Sequence, residues 1–121
     1  MDKAQALHSF WSGFGIDAWD ENTVPESAVY PRITYDVAVS DINQTNFLAA
    51  SIWYRSTSWS EITAKAEEIG AEIGSGGKLC HYNNGVLWIT KGEPFYQRIG
   101  DPDQMIRRIR INIAAEFISA E

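Results

Sequence analysis

Between Ser58 and Gly77 the chain carries a single apolar stripe. Trp59, Ile62, Ala66, Ile69 and Ile73 recur at spacings of three and four, while Glu61, Lys65, Glu68 and Glu72 point elsewhere. A helix with one face to bury needs one apolar surface to lie on. Ser58-Trp59-Ser60-Glu61 fits a capping box, in which the serine oxygen and the glutamate each satisfy a free amide at the helix start. Gly74, Gly76 and Gly77 supply the stop.

The surface for that stripe comes from the segments around it. Ile33, Tyr35, Val37 and Val39 alternate with Arg32, Thr34, Asp36 and Ala38, the period-two pattern of a strand buried on one face. Ser40–Asn46 reads as a turn and Phe47–Arg55 as a second strand, antiparallel because the connection is too short for a parallel crossover. Lys78–Tyr82 and Gly85–Lys91 flank Asn83-Asn84-Gly85 and predict a hairpin with a tight Asn-Gly turn. Near the end, Ile109, Ile111, Ile113, Ala115 and Phe117 alternate with Arg108, Arg110, Asn112, Ala114 and Glu116.

At the start, Asp2 caps a short helix with Ala6, Leu7, Phe10 and Trp11 on one face, ended by Gly13 and Gly15. Two stretches follow neither period. Ile16–Pro31 reads as a long ordered loop tethered by Trp19, Val24 and Tyr30, and Gly92–Gln104, with Pro94, Gly100 and Pro102, as an irregular connection. Two helices cover only one face of such a sheet. The expected fold is therefore α/β of the α+β kind: a two-layer sandwich, with a mostly antiparallel four- to five-stranded sheet and two helices on one face. Residues 1–121 form a single domain by length.

Charge and composition narrow the function classes. Sixteen Asp+Glu against ten Lys+Arg give a net charge of −6, which opposes a generic grip on nucleic acid or an anionic membrane. No apolar run approaches the ~20 residues of a membrane span. Met1–Phe10 lacks the apolar core of a secretory signal, so folding in a reducing cytoplasm is expected, with Cys80 a free thiol. One cysteine excludes an internal disulfide and a thiolate metal cluster within one chain. Five Trp are an excess for this size. Either they fill an aromatic core, or part of that surface waits for a partner.

A search for catalytic groupings yields none. His8 and His81 are the two histidines. Cys80 and His81, adjacent in a strand, project to opposite faces and make a poor dyad or chelate. Cys80 reads as a small buried hydrophobe and His81 as a surface residue. Gly100-Asp101-Pro102-Asp103 lacks the ligand positions and closing glutamate of a calcium loop and reads as the turn before the last strand. Gly74-Ser75-Gly76-Gly77 follows a helix, whereas a phosphate cradle precedes one. No catalytic residue, cofactor or metal ligand is assigned. Trp11 and Trp59 belong to the core by their helical stripes. Trp53 and Trp88 belong to the strands, on core or interface. The basic cluster Arg107, Arg108 and Arg110 is either a solvated face or a surface for an acidic partner.

Several stretches carry a family resemblance. They are Phe14-Gly15-Ile16-Asp17-Ala18-Trp19-Asp20-Glu21-Asn22-Thr23-Val24-Pro25, Tyr30-Pro31-Arg32-Ile33-Thr34-Tyr35, and Ser51-Ile52-Trp53-Tyr54-Arg55-Ser56-Thr57-Ser58-Trp59. The C-terminal part runs from Gly92-Glu93-Pro94-Phe95 through Asp101-Pro102-Asp103 to Met105-Ile106-Arg107-Arg108. Together they span nearly the whole chain. The sequence resembles the tail terminator, or tail completion, proteins of long-tailed bacteriophages and prophages.

That resemblance implies a non-enzymatic structural role. Proteins of this class assemble as a rule into six-membered rings that cap the tail tube, end its polymerisation and dock to the head connector. The implied partners are further copies of the chain, the tail tube protein and the head–tail connector protein, with no sequence-specific nucleic acid and no membrane. The implied location is the bacterial host cytoplasm during assembly and then the virion tail. A ring subunit presents two different patches to its neighbours. The Trp-bearing sheet face and the connection after Gly92 are the candidates, and the residues are Trp53, Arg55, Trp88, Phe95, Arg98, Arg108 and Arg110. A head–tail connector or stopper protein is the alternative within the class. A small ligand-binding or enzymatic α/β domain is the alternative outside it.

Overall fold

The alternating C-terminal segment becomes one of the two central strands of a six-stranded sheet. The structure, a computed structural model, describes residues 1–39 and 44–119. In chain order it runs α1 (Lys3–Trp11), a 3-10 turn (Ser12–Phe14), β1 (Asp17–Asp20), β2 (Arg32–Tyr35), β3 (Thr45–Arg55), α2 (Ser60–Ile73), β4 (Lys78–Tyr82), β5 (Gly85–Ile99) and β6 (Ile106–Ser119). The strands lie in the order β1-β2-β3-β6-β5-β4. Only β1 and β2 pair in parallel among the described residues.

The period-two residues do what their spacing requires. Ile109, Ile111, Ile113, Ala115 and Phe117 of β6 are all buried, together with Ile33, Leu48, Ala50, Ile52, Leu87 and Ile89 from the neighbouring strands. Against them pack Ile62, Ala66, Ile69 and Ile73 of α2 and Ala6, Leu7, Phe10 and Trp11 of α1. Both helices thus share one face of the sheet. The architecture is not a flat sandwich, however, because α1 touches both β1 and β4, which are opposite edges. The sheet curls around its helices, as long twisted strands tend to do.

Five local differences from the sequence reading have physical causes. First, Asp17–Asp20, placed in a loop, forms β1 beside β2, so the sheet has six strands where four or five were expected. Second, β2 stops at Tyr35, and Val37 and Val39 are exposed. Asp36 ends the ladder by giving its N–H to the Ala49 carbonyl at 3.1 Å while its carboxylate accepts the Ala49 N–H at 2.9 Å. The turn expected at Ser40–Asn46 falls in part outside the described residues, and Thr45 and Asn46 already belong to β3.

Third, the capping box at Ser58 does not form, because α2 begins at Ser60 and Trp59 takes the cap position without a side-chain bond. Ser58 Oγ accepts the Ser60 N–H instead, and Trp59 lies half-buried with the Arg98 and Arg107 guanidinium groups 4.7 and 5.3 Å from its ring centre. Trp59 is therefore a clamped entry to the helix and not a fully buried core residue. A capping box does form at α1, where Asp2 and Gln5 exchange backbone-to-side-chain bonds of 2.8 Å.

Fourth, β5 runs on to Ile99, through most of the stretch expected to be irregular. Lys91 pairs with Ile113 and Tyr96 with Ile111, so Gly92–Phe95 bulge opposite Asn112 alone. The Asn112 amide donates to the Pro94 carbonyl at 2.9 Å, and a side chain at Gly92 would stand 2.9 Å from the Asn112 carbonyl. A proline and a glycine are tolerated inside a strand where the ladder is already open. Fifth, Gly77 does more than stop the helix: its φ of +87° and the Ile89 carbonyl, 2.8 Å from where a Cβ would be, admit no side chain.

Trp11, 1% exposed, fills the space between the helices and the curled sheet. Trp11→Ala is expected to lower the free energy of unfolding by about 3–5 kcal/mol through lost burial and an incompletely collapsed cavity. Urea titration followed by far-UV circular dichroism measures this as a lower midpoint at similar slope.

Candidate assembly surface

Register decides what the helix-free face carries. Cross-strand partners share a face, so Trp53 and Arg108, Ser51 and Arg110, Phe47 and Ala114, Thr45 and Glu116 stand opposite the core, as do Trp88 and Leu79 on the other flank. Arg32 and Thr34 of β2 and Asp17 and Trp19 of β1 continue the same face. The sequence-predicted residues Trp53, Arg55, Trp88, Arg108 and Arg110 are thereby brought to one surface. Phe95 and Arg98 are not. Phe95 packs over Gly70 of α2, with Lys91 Nζ 5.3 Å from its ring centre, and Arg98 lies over Trp59, so both belong to the helix side.

One end of the open face is built from arginines and aromatic rings. The Arg108 guanidinium lies 4.6 Å from the Trp53 ring centre, and Arg108 Nε donates to Ser51 Oγ at 2.9 Å. The Trp53 indole N–H donates to Thr34 Oγ1 at 2.9 Å, tying β3 to β2. Tyr30, from the loop before β2, receives Arg32 at 4.3 Å and Arg55 at 5.0 Å. Each such stack is worth about 0.5–1 kcal/mol where water reaches it. The Trp19 indole N–H and Arg32 Nε are buried without a hydrogen-bond partner among the described residues. The ion pairs among the described residues are Lys65–Glu68 and Lys78–Glu72, neither of them on this face. In a chain of net charge −6, Arg55 and Arg110 are exposed and Arg32 and Arg108 half-buried on this face, none of the four in an ion pair among the described residues.

The other end is apolar. Phe47 is 82% exposed, Leu79 57%, Trp88 38% and Ile118 37%, on four adjacent strands. Trp88 is steadied by a 3.1 Å bond from its indole N–H to the Gly76 carbonyl. Phe47, Leu79 and Ile118 were not singled out from sequence, although a signal was there. Phe47 has the parity of Ser51 and Trp53, not that of Leu48 and Ile52, and Ile118 has the parity of Arg110, not that of Phe117. An apolar residue on the polar parity of a strand is turned toward the open face. Between the two ends, depressions of about 280 and 140 Å³ flank Arg110, with Asp36 and Ala49 common to both, Glu93 in the larger, Glu21 in the smaller and Phe47 at the rim.

Elsewhere the chemistry is sparse. Cys80 is half-buried rather than fully buried, and burial pushes its thiol upward from the ordinary range, outweighing the neighbouring Lys78 ammonium. His81 is exposed, and His8 Nδ1 is 2.8 Å from the Tyr35 hydroxyl. Among the described residues no three His, Cys, Asp or Glu side chains are grouped to hold a metal ion, and no helix is long and apolar enough to cross a membrane.

No family model and no curated protein sequence matches the chain. Among solved structures, a chain from the "Virion of native gene transfer agent (GTA) particle" superposes with a TM-score of 0.57 at 16% identity. The match covers 96% of this chain and 85% of that one. The two chains share a fold.

Two outcomes follow from this geometry. Phe47→Ser is expected to change unfolding free energy by less than about 0.5 kcal/mol, as for an exposed site, whereas Trp53→Ala costs about 1–2 kcal/mol through the lost Thr34 bond and Arg108 stack. Chemical denaturation of both variants beside the parent measures the difference. Cys80 is expected to react with a disulfide reagent at pH 8 more slowly than a free small thiol, because the raised thiol pKa leaves less thiolate. The rate should rise to that of the free thiol in 6 M guanidinium.

Proposed function

We propose that this chain is a structural virion component that acts as a tail terminator: it caps the tail tube, ends its polymerisation and docks to the head connector as a ring. The observation that carries this reading is the likeness of almost the whole chain to a virion-particle chain. The tail-terminator stretches of the sequence support it independently, and they fall on defined parts of the fold. Asp17–Asp20 is β1, Ser51–Arg55 ends β3 on the open face, and Gly92–Phe95 is the bulge of β5. A face that combines outward arginines with exposed aromatic and aliphatic side chains suits assembly better than catalysis, which needs a cleft with convergent acid–base groups.

A structural role follows without cofactor or metal, and it places the chain in the host cytoplasm until the tail is complete. The acidic balance of the chain lets it surround passing DNA without gripping it.

The experiment is tube assembly in vitro with a phage tail tube protein taken from the same genome as this chain. With the chain present from the start, tubes are expected to be shorter by electron microscopy, with labelled chain at one end only. Tubes of unchanged length with no label at their ends overturn the terminator reading. Binding to the isolated connector alone, without any effect on tubes, assigns the connector or stopper role instead.

A further inference from the structure

We infer that the open sheet face is the seat for the outer face of α2 from a second copy, a head-to-tail contact between unlike surfaces. The arginines Arg32, Arg55, Arg108 and Arg110 have no carboxylate partner among the described residues, although carboxylates outnumber cations sixteen to ten in the chain. The complementary surface is present on the same molecule. Glu61, Glu67, Glu68 and Glu72 are all exposed on α2, against one lysine of that helix, Lys65. Glu61 is the carboxylate of that row with no ion pair or side-chain hydrogen bond among the described residues.

Shape agrees with charge. Ser60, Ala64 and Ala71 are also exposed on α2, so the acidic row is interrupted by small side chains that let another backbone approach. The middle of the open face has small residues, Ala49, Ser51 and Ala114, beside the projecting Phe47 and Arg110, with the carboxylates Asp36, Glu21 and Glu93 lining the depressions around Arg110. The fourteen residues of α2 make a rod of about 21 Å. Phe47 and Trp53, which bracket the trough along β3, are about 20 Å apart at the rise of a strand. One copy offers both surfaces, so each can be filled by a different neighbour, and such a contact closes into a ring when the rotation allows. This deepens the ring reading above, and its test uses self-association alone, without tube or connector.

The test pairs two charge reversals. The sheet variant is Arg108→Glu with Arg110→Glu, and the helix variant is Glu61→Lys with Glu68→Lys. Sedimentation and light scattering of the parent are expected to show mass rising with concentration. Each variant alone, folded by circular dichroism, is expected to associate at least about tenfold more weakly, a loss of about 1.4 kcal/mol. Mixed in equal amounts they are expected to regain assembly, because each then meets the opposite charge. Ala64→Arg, which alters no carboxylate and sits on an exposed helical position, is expected to weaken association by steric block and covers the case in which Glu68→Lys disturbs the fold. A parent that stays monomeric at every concentration overturns the proposal. So does a helix variant or an Ala64→Arg variant that assembles like the parent, or a mixture that shows no rescue. Tube capping with failed rescue removes only this contact; rescue without tube capping removes only the tail assignment.

Discussion

The buried row of β6, from Ile109 through Phe117, is the constraint on which the other elements depend. It lies between β3 and β5 in the sheet and beneath α2 across it, so each of those neighbours is positioned by contact with these side chains. Complete burial of an aliphatic or aromatic side chain contributes roughly 1.5–3 kcal/mol. Four isoleucine and phenylalanine positions in one row, all at 1% exposure or less, therefore hold register firmly. A slip by one residue would turn Arg108, Arg110 and Asn112 into the core. The open face is thus a by-product of the buried one: the same alternation that buries isoleucine presents arginine.

The energetics of the two faces differ in kind. The helix side is apolar contact, with Trp11, Phe10 and Phe14 in edge-to-face pairs at 4.8 and 5.4 Å between ring centres. The open side is held by weaker, directional contacts, such as Trp53 to Thr34 and Arg108 to Ser51. Those contacts fix where the arginines stand but leave part of their hydrogen-bonding capacity unused, since a guanidinium has five N–H donors. A surface pre-positioned in this way loses less freedom when a partner arrives.

The helix stripes, the hairpin around Asn84 and the alternation of β6 were legible in the sequence because each follows a period that burial enforces. Trp53 and Trp88 were legible as strand residues, while their place on the open face came only with the register. Other features depend on contacts distant in sequence. β1 has four residues and exists because β2 offers a free edge, which no period in Asp17–Asp20 announces. The continuation of β5 past Pro94 depends on Asn112, eighteen residues away, filling the bulge. Trp59 has the spacing of a core residue, yet Arg98 and Arg107 hold it at the boundary. Phe47 shows the opposite case, since its parity was informative and its position at a strand start concealed it.

The bridge that α1 makes between β1 and β4 bears on how such a chain avoids the hazard of open sheets. Unpaired strand edges are templates on which further chains add without limit. Here both edge strands are short, four and five residues, and the same helix packs against each. The Asn83 N–H at the end of β4 is engaged by the Met1 carbonyl at 2.7 Å. Growth by strand addition is thereby discouraged at both margins, which leaves the open face, with its side chains, as the surface free for contact.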